Sequence, residues 1–554
     1  MKNFLCLFAV AIMIISCGKK SSESSYIPKD AIGVMYVNLE SLSKKSEGVD
    51  FKNLKLSQVF EKEAPKEMQD FMNEYVTTEN IDATFRKEFL LGYVSVDRMT
   101  GTGGFIIPIK SAAAFEKMIQ PLLEKSSMQK EENVGKNDAF TVYSTGQMAI
   151  GWNDKTALII GARDYASTEL IDLTNMDSSD NIYTTNYFKR FFDTDKDMGV
   201  HISSTPLATL ANSLASMLAG IDINLENNNF YYHMNFEDDR IHSEAKLNLN
   251  DDFESLIGHK SWMTTSYESS LLKAIPENPS FLLKVSINPT ALYDHIEGLQ
   301  DNRIIPKEAR AELKQGFRNM NRGMKREVGM TGKDLAEVFE GSMLLSLSEG
   351  KTIKDTIHSY DYYTDEDEYE ILDIKIPNVY SAIAIKDKAK FDALMTVILK
   401  KEAPKATKGK DYYELGNNMF AVITDDFLFL TNDEAKADEV YANGSLAANL
   451  SNFEHKSYLS HSVYMFMTPN ATEMYGNFLS SYTSRLNSYG SFSTDFSTES
   501  AELYKKYFAD THYFLDADGM ESYTYTKGEN NSWINLIQYS DAIANQAANM
   551  AKKF

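Results

Sequence analysis

Ile27–Lys45, IPKDAIGVMYVNLESLSKK, carries the pattern on which the fold turns. Met35, Val37 and Leu39 alternate with Val34, Tyr36 and Asn38, and both sets are largely apolar. Period-two alternation indicates a strand, and apolar character on both faces indicates a strand covered by helices. The tail LESLSKK then turns helical. A second stretch, Ile275–His295, IPENPSFLLKVSINPTALYDH, has the same order: Ile-Pro, turn residues, an apolar strand, an asparagine, a helix start. Asn288 stands where Asn38 stands, and Leu292 matches Leu42.

Further matches follow in the same order along the chain. FIIPIKSAAAFEKMIQPLL pairs with SAIAIKDKAKFDALMTVIL, setting Phe115, Met118, Ile119 and Leu122 against Phe391, Leu394, Met395 and Ile398. Each set has the i, i+3, i+4, i+7 spacing of one apolar helix face. WNDKTALII pairs with ITDDFLFL as a turn entering a buried strand. GVHISSTPLATL pairs with SVYMFMTPNATEM, and FEDDRIHSEAKL with LDADGMESYTYT as a hairpin with an acidic turn. Ordered matches of this kind indicate two homologous halves, 26–271 and 272–542, followed by a C-terminal helix over 543–554 free to dock on the body or on a partner. Strands lie next to strands as well as helices. The expected fold class is therefore α+β, with mainly antiparallel sheets, helices packed on one face and ferredoxin-like units.

The spacing between matched positions grows along the chain, which locates two insertions in the second half, 350–376 and 480–500. Both are expected to be loops, and loops carry function more often than core does. The first holds an acidic run. Asp365, Glu366, Asp367 and Glu368 are weak candidates for a calcium site, without EF-hand spacing; a solvated loop is the plainer reading. The insertions also hold Tyr360, Tyr362, Tyr363, Tyr369, Tyr482 and Tyr489, residues suited to stacking and hydrogen bonding with a glycan or peptide. Ordinary edge-strand tyrosines would look the same.

The 554 residues are 43% hydrophobic and 24% charged, a globular composition that suggests more than one domain. Formal net charge is −23, and no long basic run offers a nucleic-acid footprint. The two cysteines, Cys6 and Cys17, lie at the N-terminus, so the body has no thiol nucleophile, thiolate metal site or disulfide. The histidines are scattered: His455 and His461 lack a metal-binding spacing, and His201 falls on the polar face of an expected strand. GTGG at Gly101–Gly104 reads as a hairpin turn. No nucleophile elbow or phosphate loop is present, so no catalytic residue and no cofactor is assigned.

Lys2 and the apolar run Phe4–Ile15 have the form of a signal peptide, too short to span a bilayer. Ile14-Ile15-Ser16-Cys17-Gly18 resembles the bacterial lipobox, in which the cysteine receives lipid. That divides the start of the chain into a signal over 1–16 and a lipidated flexible tether over 17–25. Followed by IPKDAIGVMYVNLESLSKKS, it resembles a family of Bacteroidetes lipoproteins, domain of unknown function 4836. The resemblance covers essentially the mature chain. It implies an envelope lipoprotein without assigned activity, and Cys17 as its one functional residue. Surface export in that phylum uses acidic residues after the cysteine; Gly18-Lys19-Lys20 here implies a periplasm-facing anchor on the outer membrane. The functional expectation is a non-enzymatic binding or scaffold protein for an envelope protein or glycan. The alternatives are a carboxylate-based hydrolase of envelope polymers and a calcium-dependent binding module.

Overall fold

The computed structural model describes residues 25–550 apart from 64–65, 76, 98–99, 132–139, 193–194, 209–223, 362–365, 403–406, 410, 417 and 476–491. Cys17, Tyr362, Tyr363, Asp365, Tyr482 and Tyr489 lie outside the described residues. The chain divides into two compact units, 1–253 with 529–554, and 254–528. The division thus falls at Phe253/Glu254 and not at 271/272.

Among the described residues the first unit has ten strands: β1 (Gly33–Asn38), β2 (Phe89–Asp97), β3 (Thr100–Pro108), β4 (Gln129–Glu131), β5 (Thr141–Ser144), β6 (Met148–Trp152), β7 (Thr156–Ala162), β8 (Met198–Ser203), β9 (Asn229–Phe236) and β10 (Arg240–Asn248). Their spatial order is β4-β5-β6-β7-β3-β2-β1-β8-β9-β10, and every pairing is antiparallel. β2 lies directly beside β1. In a ferredoxin-type piece a third strand would separate them, so that expectation does not describe the sheet.

The alternation in β1 has a direct structural consequence. Val34 and Tyr36 enter one core with Leu91, Tyr93, Ile106 and Ile160, covered by Leu170 and Leu173 of the helix Ala166–Thr174 and by Phe188 and Phe191. Val37 enters a second core with Leu90, Ile107, Ile159 and Trp152, covered by Phe115, Met118 and Ile119 of the helix Ala112–Lys125. Helices therefore cover both faces, not one. A strand apolar on both sides leaves no face that water can solvate cheaply.

Asn38 ends β1 and caps the next helix, its side chain accepting from Ser41 N at 3.1 Å. The C-terminal helix is longer than the expected 543–554. It runs Ser532–Met550 and belongs to the first unit. Trp533 packs on Phe236 with the rings tilted and their centroids 4.7 Å apart, and its Nε1 donates to Ser46 Oγ at 2.7 Å. Gly103 and Gly104 lie within β3, opposite Val94 and Tyr93, not in the turn. A Cβ on Gly104 would collide with Ile160 and the Ile159 carbonyl, so the glycine is there for close packing.

The second unit has β11 (Phe281–Ser286), β12 (Phe339–Asp361), β13 (Glu366–Ile385), β14 (Thr407–Lys408), β15 (Tyr413–Leu415), β16 (Met419–Ile423), β17 (Phe427–Thr431), β18 (Val463–Met467), β19 (Phe508–Asp516) and β20 (Gly519–Thr526). The order is β14-β15-β16-β17-β13-β12-β11-β18-β19-β20, again antiparallel throughout. Read from its own first strand, this is the order of the first unit. Asn288 repeats the cap, accepting from Ala291 N at 3.0 Å. The β6–β7 turn is tied by Asn153 Oδ1 accepting from Thr156 N at 2.8 Å, and the β16–β17 turn by Thr424 Oγ1 accepting from Phe427 N at 3.0 Å. Phe391 and Leu394 are buried as their spacing requires, whereas Ile398 is 39% exposed.

Replacing Asn38 or Asn288 by alanine should each cost about 1 kcal/mol, because an orphan helix N–H loses its acceptor. Trp533→Ala should cost about 3 kcal/mol by uncovering Phe236. Urea denaturation would measure both, and an unchanged midpoint for Trp533→Ala would show that the helix Ser532–Met550 does not stabilise the first unit.

Candidate functional site

The insertion 350–376 is not a loop. β12 has 23 residues and β13 has 20, whereas β2 and β3 have nine each. The extra length is a two-stranded ribbon, paired in register from Lys351↔Ile376 to Asp361↔Glu366. Tyr360, Tyr369, Glu366, Asp367 and Glu368 fall on it. The β-branched residues Thr352, Ile353, Thr356 and Ile357 on one side and Ile371, Ile374 and Ile376 on the other favour strand over loop. Among the described residues no group of His, Cys, Asp and Glu could hold a metal ion.

The register of the ribbon breaks at its root, between the pairs of Ser348 and Lys351. Gly350 sits in this bulge, where a Cβ would collide with the Ile376 carbonyl. Asn378 Nδ2 donates to Glu349 O at 3.2 Å and closes the irregular segment. The bulge opens a cleft of about 600 Å³. Asn278 and Ser280 line it from the segment leading into β11, Glu349, Thr352 and Lys375 from the ribbon, Asn470 and Glu473 from the helical segment after β18, and Lys505 from the helix Phe492–Tyr507. Lys505 is ion-paired with Glu473, and the hydrogen bond between them holds its pKa above the usual lysine value. The cleft thus presents amide, hydroxyl and charged groups of both signs within one concavity.

A second cluster lies in the core of the same unit. Lys284 of β11 is fully buried; its Nζ donates to the His461 carbonyl and stands 5.5 Å above the Tyr267 ring. Burial pushes its pKa down to about 8, against the pull of Asp516 and Glu340. Tyr464 Oη and His512 Nδ1 share a hydrogen bond of 2.9 Å. The His455 ring is 4.5 Å from that of His512, and His461 Nδ1 lies 2.6 Å from Asp516 Oδ2. Three histidines that are scattered in sequence are thus gathered by β18, β19 and the turn before them. His201 is also buried, not on a polar face; it stacks on Tyr231 at 4.9 Å, with Nε2 3.2 Å from Asn229 Oδ1.

The protein so defined is a pair of antiparallel-sheet units, one of which carries a polar cleft at the root of a ribbon. The chain belongs to the family described as Domain of unknown function (DUF4836), whose model matches residues 24–474. No curated protein matches it. Solved structures with some similarity are crystal forms III, IV and I of TP0453, at 10%, 9% and 9% identity. They cover 43%, 41% and 43% of this chain and 86%, 81% and 85% of theirs, with TM-scores of 0.25, 0.24 and 0.23. No helix among the described residues is long and apolar enough to cross a membrane.

Burial lowers the pKa of His201 and of His512 to about 4, in His512 with help from the charge of His455. Between pH 6.5 and 4 the unfolded chain takes up protons that these folded sites refuse. Their contribution is therefore intact above pH 6.5 and is lost as pH falls. Thermal melting from pH 7.5 to 4.5 should show a shallower decline for His512→Phe than for wild type. Parallel declines would show that His512 does not titrate in this window.

Proposed function

We propose that this chain is a cell-envelope lipoprotein with a binding role, its cleft at the ribbon root holding a polar segment of an envelope glycan or protein. The observation that supports this most directly is the cleft itself. Its donors, acceptors and charges come from separate elements and converge, which is how a site fixes the orientation of a polar ligand. Lys375 is exposed at its edge. We read the two units as copies of one ancestral unit. The common strand order, the paired caps Asn38 and Asn288 and the paired turns at Asn153 and Thr424 support that reading, and the ribbon is then an addition to the second copy.

The anchor in this reading is lipid on Cys17, which faces the periplasm from the outer membrane. One acyl chain holds a protein weakly and two or three hold it stably. Cys17→Ala should leave the melting temperature unchanged and shift the chain out of the membrane fraction. A processed chain of that variant still in the membrane fraction would end the anchor assignment.

Calorimetry against fractionated envelope glycans and against envelope-derived peptides tests the cleft. Lys375→Glu should weaken the fraction that binds roughly tenfold, the loss of about one charge-assisted hydrogen bond. If neither fraction binds the wild-type protein, or if Lys375→Glu binds as well as wild type, the cleft is not the site.

A further inference from the structure

The helix Lys307–Val328, KEARAELKQGFRNMNRGMKREV, is continuous where the first unit has the two shorter helices Lys55–Glu63 and Lys66–Tyr75 between its first two strands, and it has no buried residue. At 1.5 Å per residue it is about 33 Å long. It carries seven cations, Lys307, Arg310, Lys314, Arg318, Arg322, Lys325 and Arg326, against three carboxylates, in a chain whose net charge is −23. At 100° per residue all seven fall within one arc of about 160°. The apolar row Leu313, Phe317, Met324 and Val328 occupies an adjacent arc. Phe317 meets the Tyr293 ring edge-on at 6.1 Å, and Asn321 Nδ2 donates to Tyr293 Oη at 2.9 Å, so that side is turned toward the unit.

The cationic side is left to solvent. Six of the seven are exposed, Arg310 being half-buried. Arg318 and Arg322 have no ion pair among the described residues, and with Lys325 and Thr331 they line a shallow concavity of about 530 Å³. The helix is tied down at its C-terminal end: Gly329 ends it in the left-handed conformation at φ 77°, and Gly332 N donates to Asn321 Oδ1 at 2.8 Å. Like charges spaced three or four residues apart on one helix face repel each other, and an anionic surface that meets them relieves that repulsion. A straight row about 33 Å long matches an extended array of phosphates better than one small anion.

We propose that the helix Lys307–Val328 is a docking face for an anionic lipid surface, with headgroup phosphates seated on Arg318, Arg322 and Lys325. The face is separate from the ribbon cleft and does not depend on the reading of that cleft. It orients the molecule, because the rest of the acidic surface is repelled by the same lipid.

The test is co-sedimentation of the full-length protein with vesicles of phosphatidylglycerol and phosphatidylcholine, compared with phosphatidylcholine alone. Each cation near an anionic surface contributes roughly fivefold in binding, so R318Q/R322Q/K325Q should weaken attachment to the anionic vesicles roughly hundredfold. Attachment to neutral vesicles should not change, and added salt should erase the difference between wild type and variant. R318K/R322K should bind as wild type. K117Q/K125Q/K130Q removes equal charge from exposed positions of the first unit and should have little effect. Four results would overturn the proposal: no preference of wild type for anionic vesicles, an equal loss from the control triple, displacement by inorganic phosphate at concentrations near its Kd alone, or tighter binding to a single-stranded DNA oligonucleotide than to vesicles.

Discussion

The first unit follows from the need to bury both sides of its central strand β1. β1 is flanked by β2 and β8, and β11 by β12 and β18, so neither has a free edge. With neighbours on both edges and apolar side chains on both faces, β1 can be satisfied only by helices above and below its sheet. At about 25 cal/mol per Å² of apolar surface, leaving either side wet would cost more than such a unit can spare. Of the helices that cover β1, Ala112–Lys125 is capped by Ser111, whose side chain accepts from Ala114 N, and Ala166–Thr174 is held by its buried Leu170 and Leu173.

The second unit departs from this plan in ways that bear on function. Where β1 places Val34 against His201, β11 places the buried Lys284 against Tyr464. A lysine in such a position needs acceptors and nearby negative charge, and it finds the His461 carbonyl, Asp516 and Glu340. Cover is also thinner on one face. Phe391, Leu394, Met330, Val338 and Ile385 form a small cluster there, against which Val328 packs from the end of the helix Lys307–Val328, a helix with no residue buried. The ribbon, the cleft at its root and the cationic helix are all features of this unit.

Local structure was well legible. Alternation in GVMYVN, the asparagine before each helix and the Asn153 and Thr424 turns depend on residues within a few positions of one another. The ribbon was not legible as strands, because the acidic run in SYDYYTDEDEYEIL masked the β-branched residues on either side of it. The cationic stripe escaped notice for a related reason. Its members are three or four residues apart, so no basic run shows in the linear sequence, yet a helix brings them onto one side. The one-face expectation failed although its contradiction was present in β1, whose two apolar sides already demanded two layers of helix.

The sequence by itself determined the elements, their caps, the acidic balance of the chain and the repeated order of its motifs, since each depends on composition or short-range spacing. Tertiary structure alone decided which strands are neighbours, that the helix Ser532–Met550 completes the first unit, that the bulge at Gly350 opens a cleft, and that His455 and His461 come together with the buried His512. These depend on contacts between residues tens to hundreds of positions apart, set by which surfaces can exclude water together. No local pattern records that.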